Sequence, residues 1–233
     1  MVPSVKGMAD HVLGLSRSDR VVVLGGFPVV GGIVGWALPI VTRWLLRLPW
    51  VPFEGPLRLV EHLDGGWGRA GAVAAGVLLG AVVGVMAVHE SLRVTVGDDG
   101  LVVEKGDARR TVAKGDVDAV FVDGRQLVVL DRESRQVVRD RLENADSPRV
   151  ERAFREHGYA WVDGDPYEAL FRRWVPDLPD LPASVNAVLA ARAKALEAGS
   201  AQDTAELRDE VQKLGYTVRD ADKVQHWRPL VKP

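Results

Sequence analysis

Histidine changes charge nearest neutral pH and is the commonest metal ligand, so acid–base or metal chemistry in this 233-residue chain would start from its five histidines. They stand at positions 11, 62, 89, 157 and 226, with no His-x-x-x-His pair and no carboxylates at metal-ligand spacing. His89-Glu90 follows a long apolar run, where a polar pair marks the end of a span whatever its chemistry. Gly97-Asp98-Asp99-Gly100 is a turn and not a calcium loop, because the alternating oxygen ligands and the closing glutamate are missing. Cysteine is absent, which removes disulfides and thiolate ligands without naming a compartment. There is no phosphate loop, dinucleotide fingerprint or serine elbow. The residues therefore predict a non-enzyme with no cofactor and no metal.

What must position any binding residues is clearer. Val21–Thr42 and Ala70–Val88 contain no charged side chain, while the rest of the chain is dense with charge. A bilayer core about 30 Å thick needs roughly 20 apolar residues as helix, and the first stretch would rise about 33 Å at about 1.5 Å per residue. Pro28 and Pro39 are tolerated in such a helix. The run is too long, and starts too far from the N-terminus, for a signal peptide. Arg20, Arg43 and Arg69 edge the segments, and Trp44, Trp50 and Trp67 lie in or beside the connection, as interface anchors do. No acid interrupts either span, which argues against an ion transporter.

Gly76, Gly80 and Gly84 form a small-residue row on the second helix, and Gly31 and Gly35 offer the first a matching notch. Such rows let helix backbones approach closely. Two readings stay open: a hairpin packed against itself, or a homo-oligomer in the membrane. Lys6, Arg17, Arg20, Arg93 and Lys105 on the side of the termini face Arg43, Arg47, Arg58 and Arg69 on the loop side, so charge favours cytoplasmic termini only slightly.

The domain expectation is an N-terminal segment 1–20, a transmembrane hairpin 21–90, a β domain 91–163, a connector 164–182 and a helical domain 183–233. In the β domain, short alternating runs at 93–96, 101–104, 110–113, 119–122, 126–130 and 136–140 are separated by turn residues. A helix follows from Pro148 to His157, with Ser147 as cap, Gly158 as stop, and Val150, Phe154 and His157 on one face. Many short strands closed by one helix, directly after membrane helices, resemble a bacterial pleckstrin-homology-like domain. That resemblance implies a binding or self-assembly module. Arg109-Arg110 near a turn reads as a solvated hairpin tip, with lipid headgroups as the other reading.

Tyr167, Leu170, Phe171 and Trp174 have helical spacing, and Pro176, Pro179 and Pro182 then predict a stiff extended linker. Val185–Ala198 and Ala201–Leu214 read as an antiparallel helix pair, stopped by Gly199 and Gly215. Val185, Val188, Leu189, Arg192 and Leu196 face inward on the first, and Leu207, Val211 and Leu214 on the second. Net charge is −2, without the basic surplus of a phosphate-driven nucleic-acid binder.

The run from Ala205 through Gly215 to Asp220, followed by His226-Trp227-Arg228, resembles the C-terminal end of cysteinyl-tRNA synthetase. In that family this small domain takes part in anticodon recognition. The resemblance implies RNA contact through Arg208 and Asp220 at base edges and Trp227 as a stacking platform; the residues read by themselves make Trp227 the hydrophobic plug of the helix pair and Arg208 its surface partner. Thr204, Ala205 and Ala201 depart from the family's pattern. The order of hairpin, strand-rich domain and tail resembles the YqeB family of bacterial membrane proteins. The expected fold is thus a two-helix membrane hairpin followed by an α+β soluble region. The expected role is a non-catalytic cell-membrane protein with cytoplasmic termini, presenting modules for RNA or a cytosolic protein; the alternative is a self-assembling membrane scaffold.

Overall fold

The computed structural model describes residues 10–45, 66–143, 145, 148–221 and 224–231. Lys6, Arg47, Trp50, Arg58, His62 and Ser147 lie outside them, as does the side chain of Arg43. Two units divide the chain, one inserted in the other. The first takes the chain before residue 13 with residues 94–103 and 110–233; the second takes residues 13–93 and 104–109.

The second unit is built on α1 (Arg17–Leu45) and α2 (Gly66–His89). Both are long and apolar enough to cross a membrane. At the start of α1 two polar side chains answer each other's backbone: Ser16 Oγ accepts from Asp19 N at 3.1 Å, and Asp19 Oδ2 accepts from Ser16 N at 3.1 Å. The far turn is tightened by Thr42, whose hydroxyl donates to the Leu38 carbonyl at 2.8 Å. The helices run antiparallel, because Phe27 meets Gly80, Gly31 meets Gly76 and Gly35 meets Ala72. A Cβ added at Gly31 would run into the Gly76 carbonyl oxygen, and one at Gly80 into that of Phe27. Backbone contact this close is open only to glycine. The outward faces are apolar: Val21, Leu78 and Leu79 are 71%, 67% and 68% exposed. At the end of α2, Ser91 Oγ donates to the Val88 carbonyl at 2.7 Å, and Gly106 N donates to the His89 carbonyl at 3.0 Å.

The strands β1 (His11–Leu13), β2 (Arg93–Val96), β3 (Gly100–Lys105) and β4 (Ala108–Ala113) form one sheet in that order. Val94, Val96 and Leu101 are fully buried, the inward half of an alternating pattern. The sequence sets residues 1–20 apart from the β domain, whereas β1 belongs to the sheet. Three residues are too few for alternation to register as a strand signal.

A second, antiparallel sheet follows in the order β5 (Val117–Asp123), β6 (Gln126–Asp131), β7 (Gln136–Arg141). Leu127, Val128, Val129 and Leu130 are all fully buried, so the middle strand is covered on both faces. The helix α3 (Pro148–Glu156) packs Val150, Ala153 and Phe154 inward and ends at Gly158, whose φ of 69° needs no Cβ. The returning chain pairs Trp161 with Val120 on the free side of β5.

Residues 164–182 are not a linker. Glu168–Leu170 is a 3-10 turn, β8 (Arg172–Arg173) pairs with the C-terminal strand, and Trp174 enters the core. Helical spacing of the aromatics misleads here: Tyr167 and Phe171 are half-buried and Trp174 buried, but they flank two short elements that bury nothing themselves, and Leu170 stays 43% exposed. The remaining elements are α4 (Ala183–Ala198), α5 (Ala201–Lys213), β9 (Tyr216–Ala221) and β10 (Val224–Pro229). Ser200 caps α5 by accepting from Asp203 N at 3.3 Å, and Gly199 closes α4 at φ 73°. Trp174, Leu181, Val185, Leu189, Val211, Val218 and Trp227 make one core. Leu214, expected inside, is 41% exposed because α5 ends one residue before it.

Candidate functional site

The residues expected to touch RNA are engaged within the fold. Trp227 lies on β10, 4% exposed, with Tyr216 edge-on at 5.7 Å between ring centroids. Stacking a base on it would require this core to open. Asp220, on β9, holds Arg192 of α4 through two bonds of 2.6 and 2.7 Å, and Gln225 adds a third at 2.8 Å. A bidentate pair with an arginine only 3% exposed is a structural anchor. Arg208 donates to the Arg139 carbonyl at 2.9 Å, and burial lowers its pKa from the ordinary guanidinium range. All three side chains have partners within the fold, Trp227 buried and Asp220 at the surface. The resemblance pointed to them through types shared with a tRNA-binding domain, but the shared types also build that domain's own core.

What Arg208 does becomes clear beside its neighbours on α5. Gln212 Oε1 accepts from Gln136 N at 2.6 Å, and its amide donates to the Gln136 carbonyl at 3.4 Å. Arg110 donates to the Val137 carbonyl at 2.9 Å. Side chains thus answer the outer backbone groups of β7 as another strand would. An edge covered in this way is closed to pairing with a second chain.

A second tie reaches the turn between β6 and β7. Arg228 of β10 is fully buried; its guanidinium donates to Ser134 Oγ at 2.9 Å and to the Ser134 carbonyl at 3.0 Å. Ser134 holds a left-handed φ of 58°, which a non-glycine residue adopts at a cost. The rings of Tyr167 and Phe171 lie 4.7 and 5.3 Å from the Arg228 guanidinium carbon. Sequence patterns gave no signal for this contact, since it joins residues 94 apart.

Histidines that look scattered in sequence also meet. His11 Nδ1 lies 3.3 Å from His157 Nε2, across 146 residues, and the rings pack edge to face. His157, with its side chain fully buried, has Nδ1 2.7 Å from Asp98 Oδ1. His11 Nε2 is 3.6 Å from Glu156 Oε2. Lys114 donates to the His157 carbonyl at 2.5 Å, and Tyr159 donates its hydroxyl to the Gly97 carbonyl at 2.9 Å. The Gly97–Gly100 turn and the end of α3 are joined by this network. Its groups satisfy one another, which suits a clasp better than a reaction centre.

Tyr159 makes the clasp sensitive to alkali. Burial, then the nearby charges of Asp98 and Asp99, push its hydroxyl from an ordinary 10.0 up to about 12. The folded state holds this proton more tightly than the unfolded state. The resulting stability is complete below the unfolded pKa and is lost as pH rises through the folded one. Thermal unfolding across alkaline pH should show wild type losing stability between about pH 10 and 12. Tyr159→Phe should lose markedly less in the same window, and parallel profiles would exclude this residue as the cause.

Two family models match the chain. One, described as a YqeB-like bacterial PH domain, covers residues 11–162. The other, the cysteinyl-tRNA ligase anticodon binding domain, covers residues 178–228. Among relatives, "Uncharacterized protein YqeB" of Bacillus subtilis (strain 168) is 36% identical over 229 residues, spanning 96% of this chain and 93% of its own length. The chain belongs to the YqeB family. The YqeB-like match opens at residue 11, the first residue of β1, and so takes in both long helices along with the sheets β1–β4 and β5–β7. In this YqeB-like arrangement the apolar hairpin interrupts the PH-like domain between its first and second strands. No solved structure matches the chain.

Proposed function

We propose that this protein is a non-catalytic, two-span protein of the cell membrane, with both termini in the cytoplasm, and that its sheet-and-helix unit is a module for binding a cytosolic protein. The observation that carries it is the outward face of the helix pair. Val21, Leu78 and Leu79 are more than three-fifths exposed on helices with no charged residue along the apolar run, a surface that water does not tolerate at this extent. The chain order supports an even number of crossings. β1 and β2 flank the two helices yet belong to one sheet, so the chain must return to the face it left.

The expected result is that the full chain stays in the membrane pellet after an alkaline carbonate wash. Single-cysteine labels at Val12 and Arg132, placed in a chain with no native cysteine, should react only after the cytoplasmic side is opened. Recovery in the supernatant would remove the anchoring, and labelling of intact cells would reverse the orientation.

RNA is the second reading, favoured by the match of residues 178–228 to an anticodon binding domain. In-cell crosslinking with RNA recovery tests it, and wild type at background level ends it. The engagement of Arg208, Asp220 and Trp227 within the fold counts against RNA contact through these three residues.

A further inference from the structure

A cleft of about 380 Å³ opens within the second unit at the end of the apolar spans, where α1 begins, α2 ends and the β3–β4 turn passes. Arg20, Arg93, Lys105 and Arg109 line it together with Glu104 and Asp107, so four permanent cations meet two carboxylates. His89 adds a titratable ring. We propose that this cleft binds the phosphate of an anionic phospholipid headgroup. The inference rests on the membrane reading above and gives it a specific ligand.

The two carboxylates are already engaged. Glu104 pairs with Arg109 at 3.3 Å, and Asp107 faces His89 Nε2 at 3.5 Å. Among the described residues neither Arg20 nor Arg93 makes an ion pair, and Arg20 Nε is buried without a hydrogen-bond partner. A guanidinium N–H taken from water and left unanswered is unfavourable unless an anion completes it.

The α2 C-terminus, whose negative dipole end attracts cations, is not what consumes these charges. Its Val88 and His89 carbonyls already accept from Ser91 Oγ and Gly106 N.

Position then selects the source of the phosphate. Arg20 immediately precedes the apolar run that starts at Val21, and His89 immediately follows the one that ends at Val88. In a spanning hairpin this is headgroup depth, within the roughly 5–7 Å polar layer outside the hydrocarbon. Arginine's planar fork suits a phosphodiester, which presents two oxygens in one plane.

The test uses the full chain in nanodiscs of phosphatidylcholine with and without phosphatidylglycerol, followed by native mass spectrometry of the lipid retained after release. Wild type should retain phosphatidylglycerol in preference to phosphatidylcholine. Arg20→Gln with Arg93→Gln should lower that retention roughly tenfold or more, and Arg20→Lys should fall between, keeping the charge without the fork. Arg132→Gln, in the other unit, should match wild type. Circular dichroism and gel filtration of each variant confirm folding, and Arg20→Lys carries the test if the double variant misfolds.

A folded double variant that retains phosphatidylglycerol as wild type does would overturn the site while carbonate-resistant anchoring still stands. Wild type washed off by carbonate would overturn the anchoring instead. If inorganic phosphate alone raises the Tm of wild type but not of the double variant, without any lipid preference, the headgroup gives way to a soluble phosphate.

Discussion

Arg228→Ala should destabilise the sheet-and-helix unit by about 3 kcal/mol or more. The guanidinium is fully buried and satisfies both the hydroxyl and the carbonyl of Ser134. Removing it leaves the Ser134 carbonyl without its donor, at about 1–3 kcal/mol when the desolvation is not recovered, while the hydroxyl keeps the bond it accepts from Val231 N at 2.8 Å. It also empties space between the Tyr167 and Phe171 rings, and cavity terms add to the loss. The left-handed Ser134 then has less to hold it in place. Burial lowers the Arg228 pKa from its ordinary range, with Asp165 and Tyr167 opposing that shift. Arg228→Lys keeps the cation but not the fork or the ring contact, so about half the loss should remain. Denaturant unfolding of the full chain in detergent, followed through Trp174 and Trp227 fluorescence, measures it. A change under about 1 kcal/mol would show that the tie to Ser134 contributes little.

Gly80→Leu should drive the two long helices apart, at roughly 2–4 kcal/mol. A Cβ at Gly80 already meets the Phe27 carbonyl oxygen and lies 3.0 Å from Pro28 Cα, so a leucine has backbone in its way and not a movable side chain. The readout exploits the absence of native cysteine. A Cβ on Gly32 lies 3.0 Å from Val77 Cγ2, so Gly32→Cys with Val77→Cys places two sulfurs within reach of a disulfide. Oxidation should close it in the parent background and close it several-fold less when Gly80→Leu is added. A fall in detergent-solubilised mass with the disulfide unaffected would instead assign the glycine row to contacts between chains, as in the self-assembling alternative.

These two sites mark what sequence could and could not show. The glycine row was visible because a helix repeats every 3.6 residues, so small residues at 76, 80 and 84 must share a face. The strands from Arg93 to Arg141, α3, α4 and α5 carried their own signals in alternation, caps and left-handed glycines. Arg228 with Ser134, Gln212 with Gln136 and His11 with His157 carried none, because each is a pairing of remote residues fixed by tertiary structure. Arg192 stood on the expected inner face of α4, but its partner Asp220 was assigned to a ligand. The same residue types serve a core and a recognition surface equally well, and only burial separates the two. Strand β1 was missed for its three-residue length, and β10 because its polar members, Gln225, His226 and Arg228, mask a strand buried for its hydrogen bonds.

The place of β1 ahead of the long helices bears on how the molecule can be made and unmade. During synthesis this strand emerges some 80 residues before its partner β2, so it must wait, unpaired, while both helices are completed. Loop closure grows slowly with length, and a preformed antiparallel hairpin brings the waiting ends together at less entropic cost than free chain would. The reverse process is equally constrained. A protease that cuts between the second helix and β2 leaves β1 behind with the long helices. One cut at that point therefore does not release the whole sheet.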